Sequence, residues 1–456
     1  MTGRNRLIAL ATCFAFTVGC GGPKPEDTTA GKAGKGPIEV SKGAKEKFDA
    51  ALETFNSHDK AADWSDAVCT DVARRFDEAA AMQDGGRFAE ALYDAGLAHQ
   101  RCSQDKEAKE HFQKALTADP KFHYARAQIA LYQYKADGNE DAAIAALQQA
   151  VLDAQFQNVP ALVNLAQMQM SRDSATPGDG CKDDMECAKK NLQRALAIDD
   201  AYMPAFNQLA LYYFQQAKKR AGGKARKGRS IATNAAIGKR ADVQQLELAA
   251  LVCSQAIRKN PKYPPIYNTS GLIQNELGQV NGAVGSFATA AKLDPKFFEA
   301  QMNFAAVNLS FRGFEQAQQA YQKALEMRPN DYDAHLGLAL ALRGMISDSN
   351  YDTQVVAVQG QLDAAKKIDG NRPDAYFNEG ILTQEYKAKG QDKQKQIGTL
   401  TQAKQIFSTF IEKAAGKTEY DGAVKKAKER MEDITGVITF LTESNDAPPA
   451  AKPPAK

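Results

Sequence analysis

Along most of the chain apolar residues recur every three or four positions, and runs of Val or Ile at period two are nearly absent, so helices are predicted throughout. Two consecutive stretches, ending at Pro295 and Pro329, superimpose at a spacing of about 34 residues. Ala283 then falls on Ala317, Phe287 on Tyr321, Ala290 on Ala324 and Pro295 on Pro329, and the same set recurs upstream as Gly96, Ala108, Phe112, Ala115 and Pro120. Ala or Gly is needed where the two helices of a hairpin touch, the aromatic ring fills the gap to the next hairpin, and Pro ends the second helix. Weaker units occupy residues 123–158, 159–202, 332–372 and 373–415, the last keeping Tyr376 and Gly380. One hairpin cannot bury its apolar face alone, so stacking must supply the core. The predicted fold is all-α, an α-solenoid of antiparallel helix hairpins over residues 43–417, with about nine hairpins and a degenerate first one from about residue 53. An amphipathic segment at 418–443 is expected to cap the stack, and the Pro/Ala/Lys-rich residues 444–456 to stay disordered.

The period and its residues resemble the tetratricopeptide repeat, and Tyr267 and Gly271 match the aromatic and small residues of that family's first helix. In the family the first helices line a concave groove that holds other proteins, so the resemblance implies a binding protein. Carried onto this chain, it places Asn164, Asn303 and Asn378 at the groove-facing Asn position, with Met302, Leu309, Leu336 and Leu340 making part of the groove apolar. A solvent-facing helix residue is the alternative for each Asn. The family's carboxylate-clamp set of paired Lys, Arg and Asn is incomplete here.

Two insertions are predicted to split hairpins between their helices, near 171–186 and 217–242, at an edge where partners often dock. The second carries Lys218, Lys219, Arg220, Lys224, Arg226, Lys227 and Arg229 with no acidic residue among them. On a chain of net charge +3 this is a concentrated positive patch. It suits an anionic surface such as lipid headgroups, cell-wall polymer or an acidic partner; a solvated loop is the alternative. Nucleic acid is not expected, since the whole chain is near neutral and no aromatic residues interleave the charges.

The first residues set the expected compartment. Arg4 and Arg6 precede a short apolar run from Leu7 to Val18, and Gly19-Cys20 follow. A run of roughly 12 residues makes about 18 Å of helix, against about 30 Å of hydrocarbon, so residues 1–19 read as a cleaved signal peptide. Val18-Gly19-Cys20 resembles the lipobox of bacterial lipoproteins, which implies cleavage before Cys20 and acylation of its thiol; an ordinary secretory signal with an incidental Cys20 is the alternative. Residues 20–42, rich in Gly, Lys and Pro, then read as a flexible leash. Export allows disulfides. The candidates are Cys69 with Cys102, near the turns of neighbouring hairpins, and Cys181 with Cys187, which are close enough to close a small loop. Free thiols remain open for both, and Cys253 reads as a buried small hydrophobe.

Catalytic chemistry is not expected. The five histidines are dispersed, no HExxH or GxSxG arrangement occurs, and the segment from Gly223 to Ser230 has only the outline of a phosphate loop, with Arg229 where Lys is required. No cofactor or metal is expected. Together these readings describe a lipid-anchored periplasmic scaffold, facing the periplasm from the outer membrane and gathering proteins of an envelope-spanning machine. Its general organisation resembles the tetratricopeptide lipoproteins of myxobacterial gliding motility. The alternatives are a pilotin or assembly factor for a pilus, secretion or outer-membrane protein machine, and a regulator of a peptidoglycan enzyme.

Overall fold

The computed structural model describes residues 40–61, 63–176, 180–222 and 232–443, and within them no side chain from 220 to 242. The signal peptide, Cys20, nearly all of the leash and the tail after 443 lie outside the described residues, as do Lys224, Arg226, Lys227 and Arg229. Among the described residues there is no strand, and no helix is long and apolar enough to cross a membrane. The fold is an α-solenoid of antiparallel hairpins, and its described residues form two compact units, one up to residue 261 and one from residue 262 to 443.

The first unit contains α1 Lys42–Ala61, α2 Asp66–Ala81, α3 Ala89–Arg101, α4 Asp105–Ala118, α5 His123–Asp137, α6 Glu140–Asp153, α7 Val159–Arg172, α8 Asp184–Ile198, α9 Met203–Gly222 and α10 Ala232–Lys259. The second contains α11 Pro264–Glu276, α12 Val280–Leu293, α13 Phe298–Ser310, α14 Phe314–Met327, α15 Tyr332–Gly344, α16 Tyr351–Ile368, α17 Asp374–Leu382, α18 Lys393–Ala414 and α19 Asp421–Glu443. Each odd-numbered helix from α1 to α17 pairs with its successor, and α19 packs on α18.

Local chemistry explains many of the helix starts. Ser65, Asn139, Asn158, Asp183, Asp331 and Asp392 each accept a hydrogen bond from a backbone N–H in the first turn of the helix they precede. That bond satisfies one of the four donors a helix leaves open at its amino end. The repeat positions then lock each hairpin. A Cβ added to Gly96 would lie 2.6 Å from the Phe112 ring, one at Gly271 2.6 Å from Phe287, and one at Gly380 2.6 Å from Phe407. All three rings are fully buried. These glycines are fixed by close approach of a ring, since their backbones are helical.

The boundaries differ from expectation in two places. The first hairpin begins at Lys42, because Ala44, Ala51 and Phe55 form a buried stripe that starts well before residue 53. The second insertion is largely helix: α9 runs on to Gly222 and α10 begins at Ala232, leaving 223–231 outside the described residues. Ala, Gln, Lys and Arg are strong helix formers, so the basic residues 218–220 extend α9 instead of opening a loop.

The first insertion is closed by its own chemistry. Asp184 is fully buried, and Arg172 grips both its oxygens, Nε at 2.8 Å and Nη2 at 2.7 Å. The backbone N–H of Ser174 donates to Asp184 at 2.7 Å, and Arg172 also reaches Asp141 at 2.8 Å. Burial alone would raise the Asp184 pKa, but the bonds from Arg172 and Ser174 outweigh it and hold the carboxyl below its usual range.

Candidate protein-binding face

Successive first helices touch one another directly in the second unit, α11 with α13, α13 with α15 and α15 with α17, and in the first unit α7 touches α9. Each such row presents a continuous side of its unit, built from one face of each first helix. Polar side chains bridge the seams. Asn303 Nδ2 donates to Asn268 Oδ1 at 3.0 Å, and Arg343 Nη1 donates to Asn378 Oδ1 at 3.0 Å, both pairs being 35 residues apart. In the first unit Gln100 donates to Gln128 and to the Tyr132 hydroxyl, each at 3.2 Å.

The candidate groove residues separate into two groups. Asn303 is fully buried and Met302 is 3 % exposed within the core of the second unit, so neither is available to a partner. The reason is the close seam between α11 and α13: a side chain aimed at it is covered by the neighbouring helix, and Asn303 meets Asn268 there. Leu309, Leu336 and Leu340 are half-buried, as are Asn164 and Asn378. Asn378 is already engaged, accepting from Arg343 and donating to Asp374 O at 2.8 Å. Asn164, on α7 in the other unit, makes no hydrogen bond among the described residues.

Of the basic candidates, Lys219 is ion-paired with Asp173 and the Lys218 ammonium lies 4.7 Å from the centre of the Phe214 ring. The first ties α9 to the end of α7, and the second is a contact one turn back along α9 itself. Arg220 lies in α9. Cys69 and Cys102 form a disulfide that ties the first turn of α2 to the residue after α3, and Cys181 and Cys187 form a second, from the insertion to α8. Cys253 is buried as a free thiol, and burial pushes its pKa up to about 12.

Sequence reasoning passed over Asp94 and Arg343. Asp94, on α3, is 9 % exposed and makes no hydrogen bond among the described residues. Burial, and then the charge of Glu90, push its pKa up to about 7 from 3.8. A raised folded-state pKa means that the stability contributed by this group is complete below pH 3.8 and is lost as pH rises through about 7. Asp94→Asn is accordingly expected to stabilise the chain at pH 8 by on the order of 2 kcal/mol and to change little at pH 4. Urea unfolding at the two pH values tests this, and an equal effect at both would count against it. Arg343 and Asn378 share the 35-residue separation of the Asn268–Asn303 pair, and that recurrence was the signal available in the sequence.

Comparison with known proteins adds the following. Residues 89–122, spanning α3, α4 and the turn after them, match the tetratricopeptide repeat family. Over 111 residues the chain is 29% identical to small glutamine-rich tetratricopeptide repeat-containing protein 2 of Mycosarcoma maydis, covering 24% of this chain and 32% of that protein. Over 80 residues it is 29% identical to Hsp70-Hsp90 organizing protein 2 of Arabidopsis thaliana, covering 18% of this chain and 14% of that protein. The chain thus spans less than a third of the length of either curated relative, 32% and 14%. A solved structure of a monomeric IFIT1 mutant with Gppp-AAAA is similar at a TM-score of 0.50 and 15% identity, covering 86% of this chain and 87% of that one, which is a likeness of fold.

Proposed function

We propose that this chain, with a tetratricopeptide repeat at 89–122 and a solenoid of hairpins around it, is a protein-binding scaffold tethered through Cys20 in the bacterial cell envelope. The observation that carries the reading is the row of touching first helices, whose half-buried polar and apolar side chains offer a long ready-made surface to an extended polypeptide. One curated relative is named for the same repeat and the other for organising Hsp70 and Hsp90, which supports binding of proteins as the use of this chain. Export is supported by the two cystines, which persist in oxidising compartments. The compartment we assign is the periplasmic face of the outer membrane, and the finer role is assembly of an envelope-spanning motility machine.

Two measurements test this. Metabolic labelling with palmitate should mark the native protein and not Cys20→Ala, which should leave the membrane fraction; unlabelled native protein would refute the tether. Crosslinking of the native protein in envelope fractions should recover a defined set of envelope proteins, and loss of the gene should abolish single-cell gliding with pili intact. Loss of pili would favour an assembly factor, and altered cell shape or lysis a regulator of a peptidoglycan enzyme. Replacing the basic residues of 217–242 by Gln should weaken binding to anionic vesicles or cell-wall polymer if that stretch docks to such a surface.

A further inference from the structure

Among the described residues, half-buried arginines are otherwise neutralised. Arg101 pairs with Asp59, Arg126 with Asp153, Arg172 with Asp184, Arg328 with Glu299, Arg372 with Asp333 and Arg430 with Glu385. Arg343, half-buried in the last turn of α15, has no carboxylate of the described residues within ion-pair distance. Among the described residues, its one side-chain hydrogen bond runs to the neutral Asn378 amide. Glu385, the nearby acid, is held by Arg430 at 2.7 Å, and Arg430 adds a second positive charge to the neighbourhood. Burial lowers the Arg343 pKa, against the pull of Tyr386 and Glu385, so the surroundings solvate the guanidinium poorly.

Glu385 and Tyr386, whose charges act on Arg343, also line a neighbouring cleft that Arg343 itself does not line. The chain leaving α17 makes a π-helical turn at Thr383–Lys387, which carries Glu385 and Tyr386 into the wall of a cleft of about 240 Å³. Ile346, Ser347, Asp348, Tyr351 and Lys389 complete the cleft, with the Lys389 ammonium 5.7 Å from the centre of the Tyr351 ring, so the cleft carries acids of its own and the unpaired positive charge is that of Arg343 beside it. On α15 itself Leu336, Leu340 and Arg343 follow at helical spacing along one side, all half-buried.

We propose that Arg343 anchors an acidic side chain of a bound polypeptide, an aspartate or glutamate whose apolar neighbour rests on Leu336 and Leu340. This inference rests on the reading that the first helices bind protein. A planar guanidinium with one bond to a neutral amide keeps N–H groups for a carboxylate, and a poorly solvated charge gains more from its counter-ion than one in open water. Electrostatic complementarity commits the occupant to a negative group, and the adjacent leucines commit it to an acidic–apolar pair.

The test uses the full chain and two libraries of acetylated, amidated dodecapeptides, one carrying a Leu-x-Glu unit and the other Leu-x-Gln, read by fluorescence anisotropy. The Glu library is expected to bind about tenfold tighter. Arg343→Gln should erase that preference, and Arg343→Lys should keep part of it. Equal affinity for the two libraries, absence of binding to the Glu library, or an undiminished preference in Arg343→Gln would overturn the proposal. Equally tight binding of Gln peptides with a free terminal carboxylate would also overturn it, by making the chain end the source of the charge. Should Arg343→Gln melt early, Arg343→Lys carries the comparison. Capture of envelope proteins unchanged by either substitution would leave the scaffold reading standing and this one refuted.

Discussion

Phe287→Ala is expected to destabilise the hairpin of α11 and α12 by about 3–5 kcal/mol, the usual cost of emptying a large aromatic site in a core. The Phe287 ring is fully buried and lies so near Gly271 that even a Cβ there would come within 2.6 Å of it. Because each hairpin of such a stack is coupled chiefly to its neighbours, the loss should be local. Amide hydrogen exchange should accelerate across α11 to α14 and remain near its original rate in α18 and α19. Uniform acceleration throughout residues 264–443 would mean that the second unit opens as one body.

Arg172→Ala should cost about 3–5 kcal/mol, through what it leaves behind more than through what it removes. Asp184 would remain, fully buried, with the Ser174 N–H but without the guanidinium that now binds both its oxygens. In the native chain the depressed Asp184 pKa supplies stability above about pH 3.8 that disappears as pH falls. In the variant burial dominates, so the sign reverses and the deficit should shrink toward low pH. Replacing both residues, Arg172→Met with Asp184→Leu, should recover most of the loss at neutral pH. Urea titrations of the single and double variants between pH 4 and 8 decide the matter; a single variant with native stability at pH 8 would refute the argument.

The stacking units were legible in the sequence because their requirements are local. Gly96 and Gly271 each precede the ring that meets them by 16 residues, while Gly380 meets Phe407 across a longer connection of 27, and each trio of Ala, aromatic and Pro reports one hairpin. Depth within the first-helix face was not legible. Asn303 and Asn378 hold equivalent positions in their repeats, yet the first is fully buried against Asn268 while the second is half-buried and grips Arg343. What separates them is the neighbour on the adjoining helix, and helical periodicity within one helix does not record that. The length of α9 was missed for a related reason. A run of Lys, Arg, Gly and Ser reads as solvated loop by charge, while its Lys, Arg and Ala residues favour helix by propensity, and packing of Lys218 on Phe214 with pairing of Lys219 to Asp173 tips the balance.

The bond between Cys69 and Cys102 has a mechanical consequence. Tension entering from the residues before Lys42 would strip α1 away first, since α1 lies outside the covalent loop that the bridge closes. The load would then pass from Cys69 straight to Cys102 and on into α4, sparing the residues of α2 and α3 between them. Reduction would remove that shortcut, so the same pull would unravel α2 and α3 as well, and the oxidation state of one bond would set how far the molecule lengthens before it resists.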